Sequence, residues 1–152
     1  MRFIIIGGVA ERLLGSPRTT DDFDICPETS RANLERLAAM LNEIDAIWRP
    51  EGMEQGFPPV EPWTSRSFAS HTSLSLLTEF GSFDIWIRPD GSDGYDDLIR
   101  RAVDVEIGEA SVKAIHLEDS IRIKRATGGA KYLGQLPLLR EVQEERRRSG
   151  LD

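Results

Sequence analysis

Ile6-Gly7-Gly8, followed after thirteen residues by Asp22-Phe23-Asp24-Ile25, is the stretch on which the fold turns. The apolar, β-branched run ahead of it, Arg2–Ile6, reads as a buried strand, and two glycines directly behind a strand permit a sharp turn into a helix. That helix, from Val9 to Leu14, is short because Gly15, Ser16 and Pro17 break it. Phe23-Asp24-Ile25 is then a second strand, stopped by Pro27. Side chains alternate along a strand, so Asp22 and Asp24 project to one side while Phe23 and Ile25 are expected to point into the core.

Outward from this stretch, Ser30 caps a helix whose Leu34, Leu37, Ala38 and Leu41 form a stripe at helical spacing. Ala46-Ile47-Trp48 is a candidate strand, and Pro50 through Pro62 is a loop or flap. Ser73–Leu76 and Phe83–Ile87 alternate about a turn at Glu79–Ser82, a β-hairpin. A helix over Tyr95–Ala102, a hairpin of Val103–Ile107 with Ala110–Ile115, and helices at Leu117–Ala126 and Leu136–Glu145 separated by Gly128-Gly129 complete the reading. The expectation is an α/β (α+β) fold, a mixed central β-sheet with helices packed mainly on one face. Residues 1–152 are expected to form one domain in which 117–152 is a C-terminal helical portion.

Composition bounds the function. With 19 Lys and Arg against 26 Asp and Glu the net charge is −7, the wrong sign for broad capture of a phosphate backbone. No apolar run approaches the roughly 20 residues of a bilayer span, so a cytoplasmic location with no membrane partner is expected. Cys26 is the lone cysteine, which excludes an intramolecular disulfide and a thiolate metal cluster. His71 and His116 have no metal-ligand spacing; Trp63, in the loop, is a candidate for stacking on a base.

Two carboxylates two residues apart on a strand repel each other unless a cation lies between them, so Asp22 and Asp24 read as a divalent metal site. Asp84, an isolated acid on an alternating apolar strand, is a third candidate ligand. If its strand neighbours that of Asp24, two Mg²⁺ about 3.5–4 Å apart fit among the three. Gly7 and Gly8 allow a ligand close to the backbone, where a helix N-terminus offers N–H groups to a phosphate. Arg18 and Lys124 are candidate phosphate contacts, although Arg18 also has Asp21 as a nearby partner and Lys124 has the alternative of a solvated helix face. Arg122, Lys124, Arg125 and Lys131 together form a candidate basic patch.

At these residues the chain resembles the nucleotidyltransferase superfamily of the DNA polymerase β type, whose signature is Gly-Gly or Gly-Ser after a hydrophobic residue and then Asp-h-Asp-h, where h is hydrophobic. Gly15-Ser16-Pro17-Arg18-Thr19-Thr20-Asp21-Asp22-Phe23-Asp24 is similar to the Arg-x-Thr-x-Asp-h-Asp form of small bacterial members related to abortive-infection toxins. The resemblance implies Asp22, Asp24 and Asp84 as catalytic and metal-binding residues, and Gly7, Gly8, Arg18, Thr20 and Lys124 as nucleotide-binding residues. It implies two Mg²⁺, with Mn²⁺ as an alternative, and transfer of a nucleoside monophosphate from a nucleoside triphosphate to an acceptor: tRNA, a protein or a small molecule. A toxin role would add a cognate antitoxin, and assembly into an oligomer is open. The family's acidic residues after the later helix lysine are absent here, where Lys131 is followed by Tyr132-Leu133-Gly134-Gln135. The alternative is therefore a catalytically inactive nucleotide-binding or partner-binding module.

Overall fold

The computed structural model describes residues 1–151. Its centre is a seven-stranded mixed sheet of β1 (Phe3–Ile6), β2 (Asp22–Pro27), β3 (Ile47–Trp48), β4 (Ser73–Thr78), β5 (Gly81–Trp86), β6 (Val103–Ile107) and β7 (Ala110–Ala114), in the order β3-β4-β5-β2-β1-β7-β6. Strand β1 lies inside the sheet, antiparallel to β2 and parallel to β7. That position explains its unbroken isoleucine run: Ile4, Ile5 and Ile6 are all buried, as a strand covered on both faces requires. Strands β2 and β5 are parallel and in register, Asp22 beside Ser82 and Asp24 beside Asp84.

Helix α1 (Gly7–Leu13) leaves β1 without an intervening loop. Helix α2 (Arg31–Glu43) is capped by Ser30, whose hydroxyl accepts from the Asn33 N–H. Its Leu37, Ala38 and Leu41 pack into one cluster with Ile25, Leu76 and Ile85 of the sheet. Buried Asn33 fastens the helix to the start of β1: its side chain accepts from the Arg2 N–H at 2.6 Å and donates to the Arg2 and Glu28 carbonyls. Trp63 also belongs to this cluster, with its indole N–H on the Ala46 carbonyl at 2.9 Å. A plug of the core cannot stack on a base, which corrects that expectation.

Ile4 and Cys26 enter a second cluster with Leu98 of α3 (Tyr95–Leu98) and Ile123 of α4 (Leu117–Thr127). Leu117 and Ile121 pack on Leu136, Leu139 and Val142 of α6 (Leu136–Arg148) and on Leu14. His116 caps α4, its Nδ1 accepting from the Glu118 N–H.

Several details differ from the sequence expectations. Helix α3 ends at Leu98 rather than Ala102, because Arg100 and Arg101 donate to carbonyls three residues back and the chain turns to begin β6. The β4–β5 turn is tighter than expected, with Gly81 at φ +113° already in the strand. Gly128 and Gly129, both at positive φ, do not merely break the chain but redirect it into a short helix, α5 (Gly129–Leu133). Phe23 is 36% exposed: its side of β2 does lie opposite the carboxylates, but at the strand's first turn the ring rests on Phe83 rather than in the core. Among the described residues no helix is long and apolar enough to cross a membrane.

Candidate functional site

A cleft opens where the N-terminus of α1, the ends of β2 and β5, and helices α4 and α5 meet. Gly7, Gly8, Arg18, Thr20, Lys124 and the three carboxylates all line it. Neighbouring residues in register on parallel strands face the same side, so Asp24 and Asp84 stand together, with Asp22 two residues earlier on the same face.

Each carboxylate has its own environment. The Trp86 indole N–H donates to Asp24 Oδ1 at 3.0 Å, while Oδ2 lies over Gly7. Burial pushes the Asp24 carboxyl up from 3.8 to about 6, Asp84 and Asp22 add repulsion, and the Trp86 hydrogen bond and Lys124 act the other way. Asp84 is also raised, first by burial and then by Asp22, against the Ser75 hydroxyl, Arg49 and Lys131. Its Oδ1 is buried without a hydrogen-bond partner. A buried oxygen of this kind incurs a desolvation cost that a cation or a proton removes.

The two glycines are required by space as much as by conformation. Gly7 has φ +65°, and a Cβ there would collide with the Asp24 carboxylate. At Gly8 a Cβ would lie 2.8 Å from both Arg18 Nη2 and Thr20 Cβ. The glycine turn thus lets the Asp24 carboxylate and the Arg18–Thr20 turn approach the start of α1.

The basic side of the cleft is organised by a residue that the sequence reading passed over. Glu11, on α1, is 1% exposed and accepts from the Ser120 hydroxyl at 2.6 Å. Lys124 Nζ stands 3.0 Å from Glu11 Oε1, and Arg18 Nη2 3.5 Å from Oε2. Arg18 therefore pairs with Glu11 and not with Asp21, whose place on the turn leaves it exposed. Lys124 is no solvated residue: it is 7% exposed, donates to Gln135 Oε1 at 2.9 Å and lies 5.6 Å from the Tyr132 ring centre, with Lys131 at 5.4 Å. Glu11 was invisible because an acid in GGVAERL reads as the polar face of a surface helix; its burial follows from α4 crossing over α1. The expected basic patch does not form as a unit, since Arg122 is tied to Asp97 and Asp119.

The donor set suits a hard divalent cation, being carboxylate oxygens with one left unpartnered at Asp84. Among the described residues no group of three or more aspartate, glutamate, histidine or cysteine side chains stands close enough together to hold a metal ion as the side chains are placed.

The sheet order and the helices over it define a nucleotidyltransferase-like fold. No protein-family model matches the chain, and no curated protein matches it by sequence. Among solved structures it is similar to the lincomycin-bound crystal structure of the lincosamide antibiotic adenylyltransferase LnuA, with a TM-score of 0.57 and 12% identity over 92% of this chain and 86% of that one. At that identity the likeness lies in the path of the backbone.

Proposed function

We propose that the protein is a Mg²⁺-dependent nucleotidyltransferase that moves a nucleoside monophosphate from a nucleoside triphosphate to an acceptor. The observation that carries this reading is the in-register placement of Asp22, Asp24 and Asp84 opposite two cations fixed on one buried glutamate. The triphosphate lies along Gly7-Gly8 and Thr20, with Arg18 and Lys124 donating to its oxygens. Asp22, Asp24 and Asp84 would hold Mg²⁺, or Mn²⁺ in its place, which would supply charge neutralisation at the phosphates. An acceptor hydroxyl oxygen bonds to the α-phosphorus while the bond from that phosphorus to the bridging oxygen breaks, and pyrophosphate leaves with the electron pair. In this reading Asp84, which lines the cleft, takes the hydroxyl proton. Trp86 keeps Asp24 oriented, and Glu11 positions the two basic side chains.

The similar adenylyltransferase makes ATP the first donor to try and a small antibiotic-like hydroxyl compound the first acceptor. The toxin-type resemblance adds tRNA or a protein as acceptor and a cognate antitoxin as partner. The test is incubation with Mg²⁺, each α-labelled nucleoside triphosphate and cell extract, with Asp24→Asn and Asp84→Asn as controls. Label on an acceptor that both variants abolish supports transfer. Nucleotide binding without transfer selects the binding-module reading, which is favoured by one observation: Lys131 is followed by Tyr132-Leu133-Gly134-Gln135, with no acidic residue to activate an acceptor.

A further inference from the structure

Arg18 and Lys124 lie on one side of the carboxylates, toward α1 and α4. On the other side the same face of the sheet continues onto β5, β4 and β3 with a different set of groups. Ser82 precedes Asp84 by two residues on β5, and Ser75 on β4 is the register partner of Asp84. Arg49, directly after β3, donates its backbone N–H to the Ser75 carbonyl at 2.9 Å. Its guanidinium reaches across β4 to donate to Ser82 Oγ at 3.0 Å. All three residues are half-buried.

The charge on Arg49 is what requires explanation. Arg18 and Arg122, half-buried like it, are each neutralised by carboxylates, Arg18 by Glu11 and Arg122 by Asp97 and Asp119. No salt bridge among the described residues engages Arg49: its charge acts on the Asp84 carboxyl without pairing to it, and its side-chain hydrogen bond goes to a neutral hydroxyl. A guanidinium has five N–H donors in a fork that fits phosphate or carboxylate, so most of its capacity is unused. The strip also has an end: the chain leaving Arg49 folds back, Phe57 pairs with Trp48, and Gly56 packs so closely on Ile47 that a Cβ would lie 2.7 Å from its Cδ1.

We propose that Arg49, with Ser82, forms an oxyanion pocket that selects the acceptor, a small hydroxyl compound carrying a phosphate or carboxylate close to its reacting hydroxyl, while the Ser75 hydroxyl holds Asp84 beside it. This rests on the nucleotidyl-transfer reading, in which the nucleotide occupies the Arg18 and Lys124 side and leaves the β5–β4–β3 side to the acceptor. Adjacent strands are about 4.8 Å apart, so a hydroxyl at Asp84 and an oxyanion at the guanidinium are separated by roughly the length of a short carbon chain. The transfer step is unchanged: the hydroxyl oxygen bonds to the α-phosphorus, pyrophosphate departs and the proton passes to Asp84. The closed end of the strip and the net charge of −7 favour a small molecule over a nucleic acid.

The test has a binding arm and a transfer arm. The binding arm adds inorganic phosphate to protein saturated with Mg²⁺ and a nonhydrolysable ATP analogue, and follows the Arg49 side-chain N–H resonance. A saturable shift, with the phosphate response of the protein weakened at least about tenfold in Arg49→Gln, is expected. In the transfer arm the low-molecular-weight extract is split on an anion exchanger before reaction with α-labelled ATP. Acceptor activity is expected in the retained fraction. Arg49→Gln raises the amount of that fraction needed for half-maximal labelling by about tenfold or more, Arg49→Lys recovers part, and affinity for the ATP analogue stays within about twofold. Phosphatase treatment of the retained fraction tells the sources apart: lost activity identifies a phosphate monoester and surviving activity a carboxylate. Acceptor activity confined to the flow-through, no acceptor at all, or an Arg49→Gln protein that labels as wild type would each overturn the inference while leaving nucleotide binding intact. Failure of the wild type to bind Mg²⁺ and the ATP analogue would overturn the nucleotidyl-transfer reading and this inference with it.

Discussion

Replacing Asp24 by Asn should make the metal-free protein more stable and at the same time remove its metal-dependent nucleotide binding. The carboxyl is pushed from 3.8 to about 6 by burial and by the charges of Asp84 and Asp22. That change corresponds to about 3 kcal/mol against the charged form at neutral pH, an upper value that solvent at the cleft mouth reduces toward about 2 kcal/mol. Asparagine keeps an oxygen for the Trp86 indole N–H and carries no charge, so the variant escapes this cost. The sign follows from proton binding: between pH 4 and 6 the folded state holds the Asp24 proton more tightly than the unfolded chain, so this group's contribution falls as pH rises. The stability difference between Asp24→Asn and wild type should thus be near zero at pH 4, grow through pH 6 and level off at about 2–3 kcal/mol by pH 7.5. Urea unfolding followed by circular dichroism in EDTA measures it, with equal m-values as the check on two-state behaviour. Added Mg²⁺ and nucleotide should stabilise wild type and leave the variant unmoved. A variant no more stable than wild type at pH 7.5, or a difference that does not shrink toward pH 4, would refute the electrostatic argument.

Lys124→Ala strips the main cation from buried Glu11 and should cost about 3 kcal/mol in urea unfolding, near the lower end for a broken buried pair because Arg18 and Ser120 remain. The double variant Glu11→Gln with Lys124→Met should be less destabilised than the sum of the single changes, a coupling that a double-mutant cycle reads directly. Gly7→Ala should lose at least about 1–2 kcal/mol from positive φ and the clash with Asp24, together with nucleotide affinity measured by calorimetry. Trp63→Ala should lower stability by about 3–5 kcal/mol in the same denaturation assay while leaving nucleotide affinity unchanged, since the ring fills the core away from the cleft.

Where a pattern depends only on local chemistry, the sequence sufficed. The isoleucine run of β1, the Ser30 cap, the Leu37–Leu41 stripe and the alternation around Asp84 each state their own structure. The in-register neighbourhood of Asp24 and Asp84 was an inference about chemistry, and the strand pairing of the fold supplies it. What escaped reading depends on contacts made far along the chain. Glu11 is buried because Ser120 and Lys124 arrive from more than a hundred residues away, and Arg49 gains its place from Ser82 across the intervening strand β4. Phe23 obeys the alternation rule yet stays half-exposed, because alternation fixes a direction and not what lies there.

The position of β1 sets an order of assembly. It precedes the six other strands of the sheet in the chain, yet its two neighbours are β2, close behind it, and β7, which begins at Ala110. A growing chain that has not yet reached that residue has Ile4, Ile5 and Ile6 in a strand with one unsatisfied edge, a template for pairing with another chain. Closure of the sheet waits for β7, and the loop it closes spans more than a hundred residues, which slows folding. The same closure brings Ser120 and Lys124 onto Glu11, so the basic side of the cleft is assembled in the step that removes the hazard.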